Sequence, residues 1–150
     1  MRLLGRLTMP APAPAFVRAI LGWPPTTHIA RLLLVSAYLV GGIAKLADWP
    51  GAIAEQAHFG MSPPALWAAF TIALEIAGPL LVLSGRWVWL GAGMLGGFTL
   101  LAASIANAFW TMHGPERFAA TNAFFEHLGL VGGFALVAVL ADRSRHQGAD

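Results

Sequence analysis

Apolar residues run almost unbroken over Ala30–Ala47, Ala65–Ser84, Val88–Trp110 and Phe124–Ala141, and polar residues gather between these stretches. Each stretch is about 18–23 residues long, and about 20 apolar residues carry a helix through a hydrocarbon layer of ~30 Å. Lipid offers the backbone no hydrogen-bond partner, so only helices or a closed barrel can cross it. Barrel strands alternate in polarity, whereas these stretches are apolar all round, which predicts helices. The expected fold is all-α: a polytopic membrane protein built as an antiparallel bundle of four transmembrane helices. Residues 28–141 make the membrane domain, between an N-terminal segment at 1–27 and a tail at 142–150.

The connections order these helices. Ser84-Gly85-Arg86-Trp87 is so short that the spans it joins must be antiparallel neighbours. Asp48–Pro64, with Pro50, Gly51, Gly60, Pro63 and Pro64, reads as a long connection, as does Thr111–Ala123 with His113-Gly114-Pro115. Trp49, Trp67, Trp87, Trp89 and Trp110 flank the spans as an interfacial aromatic belt would. Of the 9 Lys and Arg residues, all but Lys45 and Arg117 fall on the side of the N-terminal segment, the Arg86 turn and the tail. Basic residues of short loops stay in the cytoplasm, so both termini are expected there and both long connections outside.

Composition narrows the function. Charged residues are 11% of the chain and hydrophobic ones 57%, where a soluble domain carries about 25% charged residues. The basic residues cluster at span ends rather than on one soluble face, which points to the lipid bilayer and away from nucleic acid. There is no cysteine, so disulfides, thiolate metal sites and CxxC redox chemistry are excluded. Pro10, Pro12, Pro14, Pro24 and Pro25 interrupt the N-terminal segment, which therefore does not read as a cleavable signal peptide. Ala15–Leu21 reads either as a short helix on the membrane surface, with Arg18 on its polar side, or as a mobile tail.

Small residues recur at four-residue spacing: Ala69, Ala73 and Ala77, Gly93 and Gly97, Gly129 and Gly133, with Gly41-Gly42 in the first span. Such ridges let helix backbones approach. They are expected inside the bundle, with a homo-oligomer seam as the alternative. Gly78-Pro79 is expected to kink the second span.

Polar groups inside spans are costly and mark sites. Glu75 lies near the middle of the second span, and Lys45 near the outer end of the first. Side chains lean toward a helix's N-terminus, so these two antiparallel residues lean toward each other and can pair. The alternative is a neutral Glu75, because burial disfavours the charged form. Asn107, Glu126 and His127 arrive at a similar depth, and Tyr38 shares a stripe with Arg31 and Lys45. The cluster reads equally as a ligand site or as a hydrogen-bond network fixing helix register. Glu126 and His127 also fit a helix-end cap, and Arg31 a headgroup anchor. His58, His113 and His127 show no metal-ligand spacing, and only His127 falls in a span, which argues against metal or haem.

The order of Arg31, Gly41-Gly42-Ile43-Ala44-Lys45-Leu46, Glu75 with Gly78, Asn107-Ala108-Phe109-Trp110, and Phe125 leading into Leu128-Gly129-Leu130-Val131-Gly132-Gly133 resembles the DoxX family, over about residues 28–141. The resemblance implies a small bacterial protein with four helices in the cytoplasmic (inner) membrane. The family is named for a subunit of a terminal quinol oxidase linked to thiosulfate:quinone oxidoreductase, and other members are associated with redox homeostasis. It implies Arg31, Lys45, Glu75, Asn107 and Trp110 as site positions. Phe125-Glu126-His127-Leu128 departs from the family's usual Phe-Lys-Asn-Leu and gives this chain a candidate proton-transfer pair. The implied role is a redox-associated, accessory subunit of a quinone-linked oxidoreductase. It would bind a quinone-like ligand in an outer-half polar pocket and work with a redox partner subunit. A non-catalytic scaffold subunit and a small proton-coupled transporter, the latter motivated by Glu75, are the competing roles.

Overall fold

The computed structural model describes residues 12–147, and these divide into a small unit ending at Ala30 and a large one beginning at Arg31. The small unit holds α1, Ala15–Gly22, in agreement with the short helix expected at Ala15–Leu21. Trp23 N–H closes it on the Ile20 carbonyl at 3.2 Å. The Thr26 hydroxyl donates to the same carbonyl at 2.6 Å, where α2 begins. Phe16, Ile20 and Leu21 are exposed.

The helices that follow are α2 (Pro25–Ala47), α3 (Trp49–His58), α4 (Pro64–Leu83), α5 (Val88–Ala106) and α6 (Gly114–Gln147), with a 3-10 turn at Phe109–Thr111. Four of them, α2, α4, α5 and α6, are long and apolar enough to cross a membrane. No strand occurs among the described residues. The all-helical, four-span fold expected from the apolar pattern is therefore the observed one.

Three boundaries differ from expectation. The first long connection contains α3, because Asp48 caps it: Oδ1 accepts from Gly51 N–H at 3.0 Å, and Pro50 occupies the first turn. Proline is tolerated there because those amides have no partner within the helix. Next, α5 ends at Ala106, so Asn107 closes the helix instead of sitting inside it. Finally, α6 starts at Gly114 rather than near Phe124 and absorbs most of the third connection, with Glu116 in its first turn. Its 34 residues extend roughly 50 Å at ~1.5 Å per residue, so its polar ends project beyond the hydrocarbon.

The large unit's main core joins Val35 and Tyr38 of α2, Leu74 and Val82 of α4, Ala92 and Leu95 of α5, and Phe134 of α6. A second cluster, Ala52, Ala68 and Ile72, seats α3 on α4. The expected small-residue ridges mostly do not mediate this packing. Ala69, Ala73 and Ala77 are exposed, and a Cβ placed on Gly93, Gly97 or Gly129 would meet nothing within 4 Å. Gly133, 3.1 Å from Leu34 Cδ1 on the same construction, and the Gly41-Gly42 pair, against Glu75 and Ile76, are the exceptions. A four-residue spacing defines a stripe but not its direction. The contact glycines are Gly78 and Gly91, where α4 crosses α5. A Cβ on Gly91 would stand 2.6 Å from the Gly78 carbonyl oxygen and 2.9 Å from the Val82 nitrogen.

Backbone cannot move aside as a side-chain tip can. Gly91→Val is therefore expected to destabilise by at least the ~1–3 kcal/mol of ordinary overpacking, while Gly97→Val stays within about 0.5 kcal/mol. Thermal unfolding of the two variants in mild detergent reads the difference, and equal losses would contradict this packing.

Candidate functional site

The site begins with the buried carboxylate. Glu75 is 6% exposed in α4. Lys45, in the last turn of α2, sets its Nζ 3.1 Å from Glu75 Oε1 and 3.2 Å from Oε2. The approach depends on Gly41 and Gly42. A Cβ on Gly42 would lie 3.1 Å from Glu75 Cβ, and one on Gly41 3.4 Å from Glu75 Oε2. The carboxylate thus lies across the glycine pair with the ammonium one turn further along. Pro79 stands four residues after Glu75 and has no N–H to offer the Glu75 carbonyl. The α4 helix nevertheless continues through Pro79 to Leu83.

Helix α3 adds the residues that the chain pattern did not reveal. Glu55 Oε2 lies 3.8 Å from Lys45 Nζ, so the ammonium faces a carboxylate on either side. Gln56, next in sequence, is 8% exposed. Gly60, with φ +72°, reverses the chain after α3. Met61 N–H then bonds the Gln56 carbonyl at 3.0 Å, folding Phe59 and Met61 back toward Gln56.

Tyr38 of α2 and Thr99 of α5, both buried, share a short hydrogen bond. Thr99 Oγ1 also lies 2.6 Å from the Leu95 carbonyl. A hydroxyl has one proton, and a carbonyl only accepts. Thr99 therefore donates to Leu95, and Tyr38 donates to Thr99. The Tyr38 ring meets Phe134 edge-on at 5.6 Å.

These groups line a cavity of about 360 Å³. Its polar wall comprises Tyr38, Lys45, Glu55, Gln56, Thr71, Glu75, Thr99 and His127, and its apolar wall includes Phe59, Trp67, Phe70 and Phe98. Gln56 and Thr71 are both buried, and neither side chain has a hydrogen-bond partner among the described residues. Their polar atoms are nonetheless not sealed off, so they are open to the cavity they line. Phe70, Leu101 and Ile105, which also line it, are exposed, so part of the cavity's wall reaches the protein surface through apolar side chains.

Of the residues singled out in the sequence, Tyr38, Lys45, Glu75 and His127 meet at this cavity. His127 Nδ1 lies 2.6 Å from the Ala123 carbonyl, so that nitrogen carries the proton. The others lie elsewhere. Arg31 reaches the α4–α5 turn, 3.4 Å from where a Gly85 Cβ would stand. Asn107 ends α5 outside the cavity lining. Trp110 packs on Phe109 and Phe124 at 5.2 and 5.7 Å, tying the 3-10 turn to α6. Glu126 is exposed on α6. No three His, Asp or Glu side chains converge as metal ligands among the described residues.

Comparison with known proteins yields two similarities. The DoxX family profile matches residues 26–114, a stretch that includes Lys45 and Glu75 but not His127. Inner membrane protein YphA of Escherichia coli (strain K12) is 25% identical over 116 residues, covering 77% of this chain and 83% of that protein. No solved structure matches the chain significantly.

The pair itself is testable. Lys45→Ala strips the buried Glu75 of its cation and should destabilise by about 3–5 kcal/mol, whereas Glu75→Ala leaves Lys45 beside Glu55 and should cost less. The double variant Lys45→Met/Glu75→Leu should lose far less than the sum. Additive losses in a double-mutant cycle would show that the two side chains are not coupled.

Proposed function

Because the chain belongs to the DoxX family, a four-span membrane protein among its members, we propose that it binds a quinone-like, lipid-soluble carrier as an accessory subunit of a redox system in the bacterial inner membrane. One observation carries this reading: an aromatic-walled cavity, lined in part by exposed apolar side chains, that holds unpartnered polar side chains. Small-molecule sites are typically about 300–1,000 Å³, mostly apolar, with a few converging polar groups, and the cavity of about 360 Å³ has that character. A carrier dissolved in lipid enters between Phe70, Leu101 and Ile105 without crossing water, and its polar head reaches Gln56, Thr71 and the Lys45–Glu75 pair. The chain supplies no redox centre of its own, so electrons reach or leave the carrier through a partner subunit.

Trp67 lines the cavity whereas Trp89 does not. Titrating the purified protein with a short-chain ubiquinone analogue should give saturable tryptophan quenching, lost in Trp67→Phe and kept in Trp89→Phe. Non-saturable quenching shared by all tryptophans would overturn the reading.

The same proposal places both termini in the cytoplasm, from the bias of Arg18, Arg31, Arg86, Arg143 and Arg145 toward one side. A C-terminal tag should be reached by protease only in inverted vesicles. Digestion in intact spheroplasts would reverse the orientation.

A further inference from the structure

Five titratable side chains line the cavity: Tyr38 and Lys45 from α2, Glu55 from α3, Glu75 from α4 and His127 from α6, while α5 contributes none. Two of the five lead a proton nowhere. Tyr38 gives its proton to Thr99, whose own proton goes to the Leu95 carbonyl, and a carbonyl only accepts. His127 Nδ1–H faces the Ala123 carbonyl in the same way. The remaining three form a row. Glu75 Oε1 lies 3.1 Å from Lys45 Nζ, and Lys45 Nζ lies 3.8 Å from Glu55 Oε2. Side-chain exposure rises along the row, from 8% at Glu75 through 18% at Lys45 to 45% at Glu55. Glu55 is the one exposed member of the five, and α3, which carries it, belongs to none of the four spans. Glu55 therefore faces both the cavity and the aqueous side on which α2 ends and α4 begins.

We propose that Glu55 is the proton port of this cavity, exchanging protons between the carrier and the water on that side through Lys45 and Glu75. The inference rests on the carrier-binding reading above and adds the route by which the carrier's protons travel. A quinone becomes a quinol by gaining two electrons, here from the partner subunit, and two protons. For each proton, a Lys45 N–H bond breaks as a Glu75 O–H bond forms, and that bond breaks as a carrier carbonyl oxygen gains its O–H. Glu55 then protonates the Lys45 amine and takes a proton from water. Oxidation runs the same steps in reverse and returns the electrons to the partner subunit. The step between Lys45 and Glu75 is a hydrogen bond. The 3.8 Å step is an ion-pair contact, which one bridging water or a turn of the half-exposed Glu55 side chain closes. Rows of ionisable side chains carry protons through membrane proteins in this manner. Gln56 and Thr71 neither gain nor lose a proton at neutral pH, so they hold the carrier's head without supplying the transfer.

The test holds the purified full chain in a lipid film on an electrode, which supplies the electrons in the partner's place, with a short-chain ubiquinone analogue bound. The scan-rate dependence of the bound carrier's wave reads the rate of the proton-coupled step. Glu55 sits half-exposed on α3, so Glu55→Gln should fold normally. It should slow that step roughly a hundredfold, the lower end of what a positioned acid–base group contributes. The pH dependence of the midpoint potential should stay unchanged, since a port alters rate and not equilibrium. Glu55→Asp should keep most of the rate. Acetic acid added to Glu55→Gln should restore the rate in proportion to its concentration, an effect that a merely structural loss would not show. Equal rates in wild type and Glu55→Gln, or a slow Glu55→Gln that acetic acid does not rescue, would overturn the port and leave the carrier site standing. Absence of a saturable bound wave in the wild type would overturn the carrier reading and the port with it.

Discussion

A carboxylate among lipid-facing helices is tolerated only with a counter-charge in contact, and the Lys45–Glu75 pair meets that requirement. Insertion of one charged residue at a helix centre costs about 2.5–3.5 kcal/mol, so Glu75 without Lys45 would be a defect. The pair demands that α2 and α4 approach closely, and the approach demands glycine. Gly42 lies against the Glu75 Cβ, and Gly41 beside its carboxylate. Lys45 follows Gly41 by one turn, so one stretch of α2 provides both the clearance and the charge. The glycines and the lysine form a single device: a methyl at Gly42 would stand 3.0 Å from Ile76 Cγ1 and 3.1 Å from Glu75 Cβ, and would press on the side chain that Lys45 holds.

The rest of the site is built outward from that pair. Helix α3 packs on α4 through Ala52, Ala68 and Ile72, which brings Glu55 to the far side of Lys45. With two carboxylates around one ammonium, the local balance is negative, and the remaining polar groups of the wall, Gln56 and Thr71 among them, include both donors and acceptors. Tyr38 and Thr99 are held in one proton orientation by the Leu95 carbonyl, a backbone group that cannot reverse its role.

The span count and the Lys45–Glu75 meeting were legible in the sequence, because hydropathy fixes the number of crossings and the lean of side chains fixes which depths can meet. The wall that α3 contributes was not. Proline and glycine in Asp48–Pro64 read as a loop, yet Asp48-Trp49-Pro50-Gly51 is a capped helix start, with aspartate before a proline in the first turn. Missing α3 hid Glu55 and Gln56. The small residues misled for a related reason. Lipid-facing and bundle-facing positions are both apolar in a membrane helix, so hydropathy does not separate the faces: Gly41, Gly42 and Gly133 lie against neighbours, while Gly93, Gly97 and Gly129 do not. Asn107 and Glu126 fell outside the cavity because α5 ends at Ala106 and α6 turns Glu126 outward, details of a few residues at helix ends.

The unpartnered amide of Gln56 distinguishes a cavity from a sealed polar network. A register-fixing network reaches its lowest energy when every buried donor and acceptor is paired within the protein, and Tyr38, Thr99, Lys45 and Glu75 meet that standard. Gln56 and Thr71 do not, although both are buried and α3 and α4 could carry apolar residues there at lower cost. Leaving an amide open inside an apolar wall costs about 1–3 kcal/mol, a penalty that a purely structural site has no reason to retain. Water can meet part of it while the cavity is vacant. The aromatic lining and the exposed Phe70, Leu101 and Ile105 suit the apolar-bodied guest proposed above, and Gln56 and Thr71 are the groups left to meet its polar end.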